Sequence, residues 1–168
     1  PFRKLKHIHH ISDIQIRNLK RHKEYEEVFE RTYEEVKKHK DNAVVYIGGD
    51  IAHSKTDMSP ELVDQTSRFL KSLSEICPTI VITGNHDCNL NNLNRLDVLT
   101  PIINNLNLPN LHYLKRSGVY DIADMSFVVW LQDRLTLKVR RPVVGGGVAQ
   151  EVEVMVLLLA NMIIYREA

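Results

Sequence analysis

The chain has 168 residues, 43% of them hydrophobic, and its 22 Lys and Arg against 21 Asp and Glu leave a formal net charge of +1. Such a length and apolar content suit one domain with its own core, and two cysteines, Cys77 and Cys88, are too few for a disulfide framework and are expected as reduced thiols. The apolar stretch from Val154 to Leu159 is too short to cross a bilayer and no secretory signal is visible, so a cytoplasmic location without a membrane partner is expected.

Leu5 to Ser12 reads as a first strand, across which His7, His9 and His10 alternate as structural residues. Glu24 to His39 then sets Tyr25, Val28, Phe29, Thr32, Tyr33 and Val36 at helical spacing among charges. Ala43 to Ile47 is a second strand. Ser59 caps a helix from Pro60 to Ile76, whose inner side carries Leu62, Val63, Thr66, Phe69, Leu70 and Leu73. Thr79 to Ile82 has the length and β-branched content of a buried strand, and Asp97 to Leu106 forms a shorter helix. Strands are expected near Leu111 to Leu114, Val119 to Ile122 and Ser126 to Trp130. Strand-helix alternation implies a largely parallel α/β sheet flanked by helices, and right-handed crossovers bring the loops after the first three strands to one edge. From Leu131 onward, Arg134 to Val139 alternates like an exposed strand, whereas Val152 to Tyr165 suits either strand or helix. Arg140-Arg141-Pro142 and Gly145-Gly146-Gly147 punctuate that tail.

Chemistry gathers at the three strand ends. The first runs into Asp13-Ile14-Gln15, the second into Gly48-Gly49-Asp50-Ile51-Ala52-His53, and the third into Gly84-Asn85-His86-Asp87. Hard oxygens and imidazoles delivered to one sheet edge suit a site for divalent metal ions. The basic run Arg17, Lys20, Arg21 and Lys23 follows the first motif, and residues 1 to 40 hold 11 of the 22 basic side chains against 7 acids. If that loop borders the metals, Arg17, Lys20 and Arg21 are candidates to contact a nucleic-acid backbone.

Order and spacing of the three motifs resemble the calcineurin-like metallophosphoesterases, whose pattern is Asp-x-His, Gly-Asp and Gly-Asn-His-Asp or Glu. Within them the chain looks most like the SbcD-type nucleases of double-strand-break repair. The resemblance rests on His10-Ile11-Ser12-Asp13, on His53 three residues after Asp50, and on Asn91-Asn92-Leu93-Asn94-Arg95-Leu96. It covers roughly residues 5 to 130, which gives a nuclease-like core over 1–130 and a divergent or foreign segment over 131–168. It implies an incomplete or divergent version of a four-layer sandwich, and half a sandwich would leave one sheet face uncovered and prone to self-association, including a homodimer.

The resemblance also implies roles. Two divalent ions, Mn2+ first and Mg2+, Zn2+ or Fe2+ as alternatives, would stand about 3.5 to 4 Å apart. Asp50 would bridge them, Asp13 would complete the first ion's carboxylates, and Asn85 would serve the second. Gln15 stands where the first motif carries histidine. His86 would lie beside the scissile phosphate, Asp87 would orient His86 through its far ring nitrogen, and His53 would contact or position the phosphate. The family's further downstream histidines have no counterpart, since no histidine follows His112. The function expected is metal-dependent phosphodiester hydrolysis on DNA, ahead of RNA, with an ATPase partner implied by the resemblance. The alternatives are a non-catalytic binding or assembly module of the same fold, and a small-molecule phosphatase or phosphodiesterase.

Overall fold

The computed structural model describes residues 5–89, 92, 94–122, 125–132, 134–140 and 151–154. Asn91, Leu93, Arg141, Pro142, Gly145 to Gly147 and the stretch after Val154, all singled out above, lie outside them. Strands β1 (His7–Ile11), β2 (Ala43–Ile47), β3 (Thr79–Ile82) and β4 (Leu111–Leu114) form a parallel sheet in the order β1-β2-β3-β4. Helices α1 (His22–Lys37), α2 (Pro60–Ile76) and α3 (Leu99–Leu106) connect them. Each strand pairs with the next in sequence, so every crossover steps the same way and the helices share one face.

That face is the larger core. Phe29, Tyr33 and Val36 of α1, Leu62, Phe69, Leu70 and Leu73 of α2, and Leu99, Ile102 and Ile103 of α3 pack on Val45, Ile47 and Val81. Ser59 caps α2 as expected, its Oγ accepting the Leu62 N–H at 3.2 Å ahead of Pro60. Val63 does not face inward as its apolar character suggests; it is exposed, while Gln65, Thr66 and Ser74 are buried on the inner side. Helix α1 starts two residues earlier than its apolar pattern implies, because Arg21 turns into the left-handed region at φ 60° and clasps Glu24 of the first turn.

Expectation and structure part on the opposite face. A second, antiparallel sheet of β5 (Gly118–Ile122), β6 (Met125–Gln132), β7 (Arg134–Arg140) and β8 (Glu151–Val154) runs in sequential order. Ile122 and Phe127 from it pack on Val44, Tyr46, Ile80, Ile82 and Leu114, and Phe127 is fully buried. Among the described residues, Ile122 and Phe127 thus pack on the face that half a sandwich was expected to leave uncovered. The boundary drawn at Trp130 falls inside β6, and β7 and β8 pair onward from it in one sheet.

The histidines of β1 do divide between the faces. His7 and His9 lie at a tilt against His39 beyond α1, with ring centroids 3.9 and 5.4 Å apart, whereas His10 lies against Tyr46 on the other side. Burial lowers the pKa of His9, helped by the nearby His39 and His7 and opposed by Glu35; burial likewise lowers that of His10, opposed by Asp13. A base whose folded pKa is depressed binds fewer protons than in the unfolded chain, so its stabilisation is complete above the ordinary value of 6.5 and is lost as pH falls below it. Relative to the wild-type chain, His9→Gln should gain stability as pH falls from about 7.5 to about 5.5 in urea titrations. A difference that stays constant across that range would contradict a neutral, partly buried His9.

Candidate metal centre

Beyond the carboxyl ends of β1 and β2 the two loops remain zipped together. Gln15 N–H donates to the Asp50 carbonyl at 2.9 Å, Ile16 N–H to Ile51 at 2.8 Å and His53 N–H to Ile16 at 3.0 Å, closing a parallel bridge between Ile16 and Ala52. Ile16, Ile51 and Ala52 are buried and hold this extension on the core. Asp13, Gln15 and Asp50 each sit at positive φ, 55°, 48° and 54°. Non-glycine residues adopt this region at a cost of about 1 to 2 kcal/mol each. Three of the expected ligand positions are thus held in conformations that the surrounding bonds must enforce.

The third loop docks by close backbone approach. A Cβ on Gly84 would stand 2.1 Å from Asp50 Oδ1, and one on Gly49, at φ 90°, would stand 2.4 Å from the Gly84 nitrogen. Only two glycines facing each other let the second and third loops come this near. Asp87 then joins them. Its carboxylate, fully buried, accepts N–H bonds from Asp50 at 2.7 Å, Gly84 at 3.0 Å and Ala52 at 3.0 Å. Burial pushes this carboxyl up to about 6 against the opposing pull of those N–H groups, so it is ionised at neutral pH.

These bonds correct one role. Asp87 does not orient the His86 ring, because its oxygens are spent on backbone N–H groups of Asp50, Ala52 and Gly84. His86 is oriented instead by the His53 carbonyl, 2.8 Å from its Nδ1. A carbonyl only accepts, so Nδ1 carries the proton and Nε2 of the neutral ring is left as the proton acceptor. The His86 N–H donates to Asp50 Oδ1 at 2.8 Å, and the His86 and His53 rings stack with centroids 6.0 Å apart. His53 Nδ1 lies 3.3 Å from Gln15 Oε1. Asn85 is exposed at the edge, and Lys55 donates to its carbonyl at 3.4 Å.

Two contributors carry no signal in the sequence pattern. Lys55 reaches the third loop only through the fold, and Tyr25, expected merely as an apolar position of α1, donates its hydroxyl to the Gln15 carbonyl at 2.9 Å. Among the basic residues, Arg17 and Lys20 are exposed on the first loop, while Arg21 is engaged by Glu24. Farther back, Asp97 accepts from Leu99 N–H, Thr100 N–H and Oγ, Tyr113 Oη and Lys115 Nζ, fastening the third loop to α3 and β4. The sequence suggested Asp97 as the start of this helix; it lies two residues before α3 and accepts the Leu99 and Thr100 N–H groups of the first turn.

No three His, Cys, Asp or Glu side chains converge on one point among the described residues. The donors at this edge are instead two carboxylates, Asp13 and Asp50, two amides, Gln15 and Asn85, and the His53 imidazole. The Gly84 cradle keeps Asp50 at the junction of the second and third loops. Such an oxygen-rich set is the donor chemistry that hard divalent cations take. Gly84→Ala should weaken Mn2+ binding at least about tenfold and destabilise the fold by about 1 to 3 kcal/mol, read by calorimetric titration and chemical denaturation. Unchanged binding and stability would contradict the close approach.

Sequence comparison with known proteins gives the family. The family model described as calcineurin-like phosphoesterase matches residues 6–148. The chain is also 53% identical over 128 residues, 74% of its length, to the uncharacterized protein R555 of Acanthamoeba polyphaga mimivirus, and that match spans 10% of the viral protein. The matched region runs past Trp130, where the motif resemblance stopped, and takes in β7. No helix among the described residues is long and apolar enough to cross a membrane. The chain belongs to the calcineurin-like phosphoesterases, a family that hydrolyses phosphoester bonds with divalent metal ions.

Proposed function

We propose that this domain is a phosphodiesterase core acting on nucleic acid, DNA ahead of RNA, with Mn2+ as its preferred ion. The observation that carries this reading is the stacked pair His53 and His86, 6.0 Å between centroids, with His86 locked by the His53 backbone. A diester needs a proton placed on a leaving oxygen while its second substituent is kept in register, and two adjacent imidazoles divide those tasks. In its doubly protonated form, His86 gives the Nε2 proton to the leaving oxygen and is left neutral with Nδ1–H on the His53 carbonyl. His53 offers a ring N–H to a phosphoryl oxygen and steers the diester. Divalent ions held by Asp13, Gln15, Asp50 and Asn85 supply an activated water and charge neutralisation when bound. Asp87 acts at one remove, fixing the backbone from which Asp50 and Asn85 project. Exposed Arg17 and Lys20 extend a positive surface from the first loop along which a phosphate backbone could run, with affinity that falls as salt rises.

One feature favours a second reading. Gln15 stands where the family's first motif carries an imidazole. That composition suits a binding or assembly module that keeps the frame without turnover. Hydrolysis of bis-p-nitrophenyl phosphate across a Mn2+ titration separates the two. The nuclease-like reading expects a rate that saturates with Mn2+, exceeds that on the p-nitrophenyl monoester, and drops at least about 100-fold in His86→Ala and Asp50→Ala. A wild-type rate equal to the variants at millimolar Mn2+ would establish the binding module instead.

A further inference from the structure

We infer that Lys55 is a specificity-determining residue that grips the phosphate next to the scissile one, so that the site takes a polynucleotide strand in preference to an isolated diester. This deepens the reading above and rests on it. Strand order β1-β2-β3 sets the first, second and third loops side by side along the carboxyl edge. Lys55 belongs to the second loop, yet its Nζ donates to the Asn85 carbonyl of the third at 3.4 Å. Arg17, exposed in the first loop, directly follows Ile16, whose bridge to Ala52 joins that loop to the second. Cations thus lie on the first-loop side and on the third-loop side of His53.

Lys55 is held at both ends. Two residues before it, the His53 N–H donates to the Ile16 carbonyl, and the His53 carbonyl accepts from His86 Nδ1 at 2.8 Å. The short tether from His53 and the bond to Asn85 keep the ammonium at the rim where the second and third loops meet. Less side-chain freedom is then lost when a ligand takes it up.

The head group has capacity to spare. An ammonium carries three N–H donors, and the bond to the neutral Asn85 carbonyl uses one of them, at the long end of hydrogen-bond range. Arg21, Arg68 and Lys115 are each paired with a carboxylate, whereas among the described residues no carboxylate is paired with Lys55, which is exposed. An anionic phosphoryl oxygen attracts an ammonium more strongly than a neutral carbonyl does. A strand laid across His53 and His86 brings such an oxygen to the rim. A single diester such as bis-p-nitrophenyl phosphate has no second phosphate to offer, so Lys55 separates the two without touching the scissile bond.

The test is binding of a short fluorescein-labelled DNA duplex with phosphorothioate linkages, which resist hydrolysis, to the full chain in millimolar Mn2+. Fluorescence anisotropy follows it from about 50 to about 200 mM salt. Lys55→Gln should weaken binding about threefold to tenfold at low salt and lower the slope of log affinity against log salt by about one. Lys55→Arg should keep the slope and hold affinity within about twofold, because the charge stays. Lys40→Gln, an exposed position before β2 at the opposite edge of the sheet, should leave the slope unchanged. A residue that merely clips the second loop to the third would move urea unfolding and not the salt slope. Affinity or slope unchanged in Lys55→Gln, or an equal loss in Lys40→Gln, overturns the assignment while leaving the phosphodiesterase reading in place. A wild-type chain that binds no duplex at low salt overturns both.

Discussion

The buried carboxylate of Asp87 is the constraint on which the site depends. It lies in the third loop, yet two of its three N–H partners, Asp50 and Ala52, belong to the second. The bond to the Asp50 N–H stabilises a residue whose positive φ is otherwise costly, and the bond to the Gly84 N–H closes the third loop on itself. An ionised group with no solvent exposure is tolerated because its oxygens are paired with donors that would themselves be stranded without it. Removing it would leave three backbone donors in search of acceptors and two loops without their clip.

The rest of the architecture supplies the platform for that clip. Sequential strand order keeps the helices on one face and leaves the other to the antiparallel sheet, so the carboxyl edge emerges between two packed layers. Open α/β sheets commonly gather ligands where strand order reverses. Here the order does not reverse within the parallel sheet, and the concavity arises from loops that continue the ladder past the strand ends and fold over one another. Asp97 secures the far end of the third loop to β4 in the same manner; burial raises its pKa, but Lys115, Thr100 and Tyr113 together outweigh that cost and hold it low.

Much of this was legible in the sequence, and the limits have physical causes. Strands β2, β3 and β4 and helix α2 begin and end where β-branched runs, Ser59 and Pro60 say they should. The donor residues were legible because their types recur at strand ends, but side-chain direction was not. Asp87 sits beside His86 in sequence, while its carboxylate turns toward Asp50 and Ala52. Val63 and Gln65 exchanged places because the helix packs on its neighbour α1, where Gln65 donates to the His22 carbonyl. The covering of the second face was illegible because it depends on antiparallel pairing from residue 118 onward, which no local pattern specifies. The His53 and Gln15 contact joins residues 38 apart through a backbone bridge that only the fold creates.

The most direct measurement is native-state amide hydrogen exchange at Asp50, Ala52 and Gly84 in the metal-free chain and in Asp87→Asn. If Asp87 clips the loops, these three amides exchange as slowly as those of Val45 and Val81 in the central strands, although they lie outside any strand, and they lose that protection in the variant. Fast exchange at all three in the wild-type chain, or protection that survives the substitution, would contradict the account.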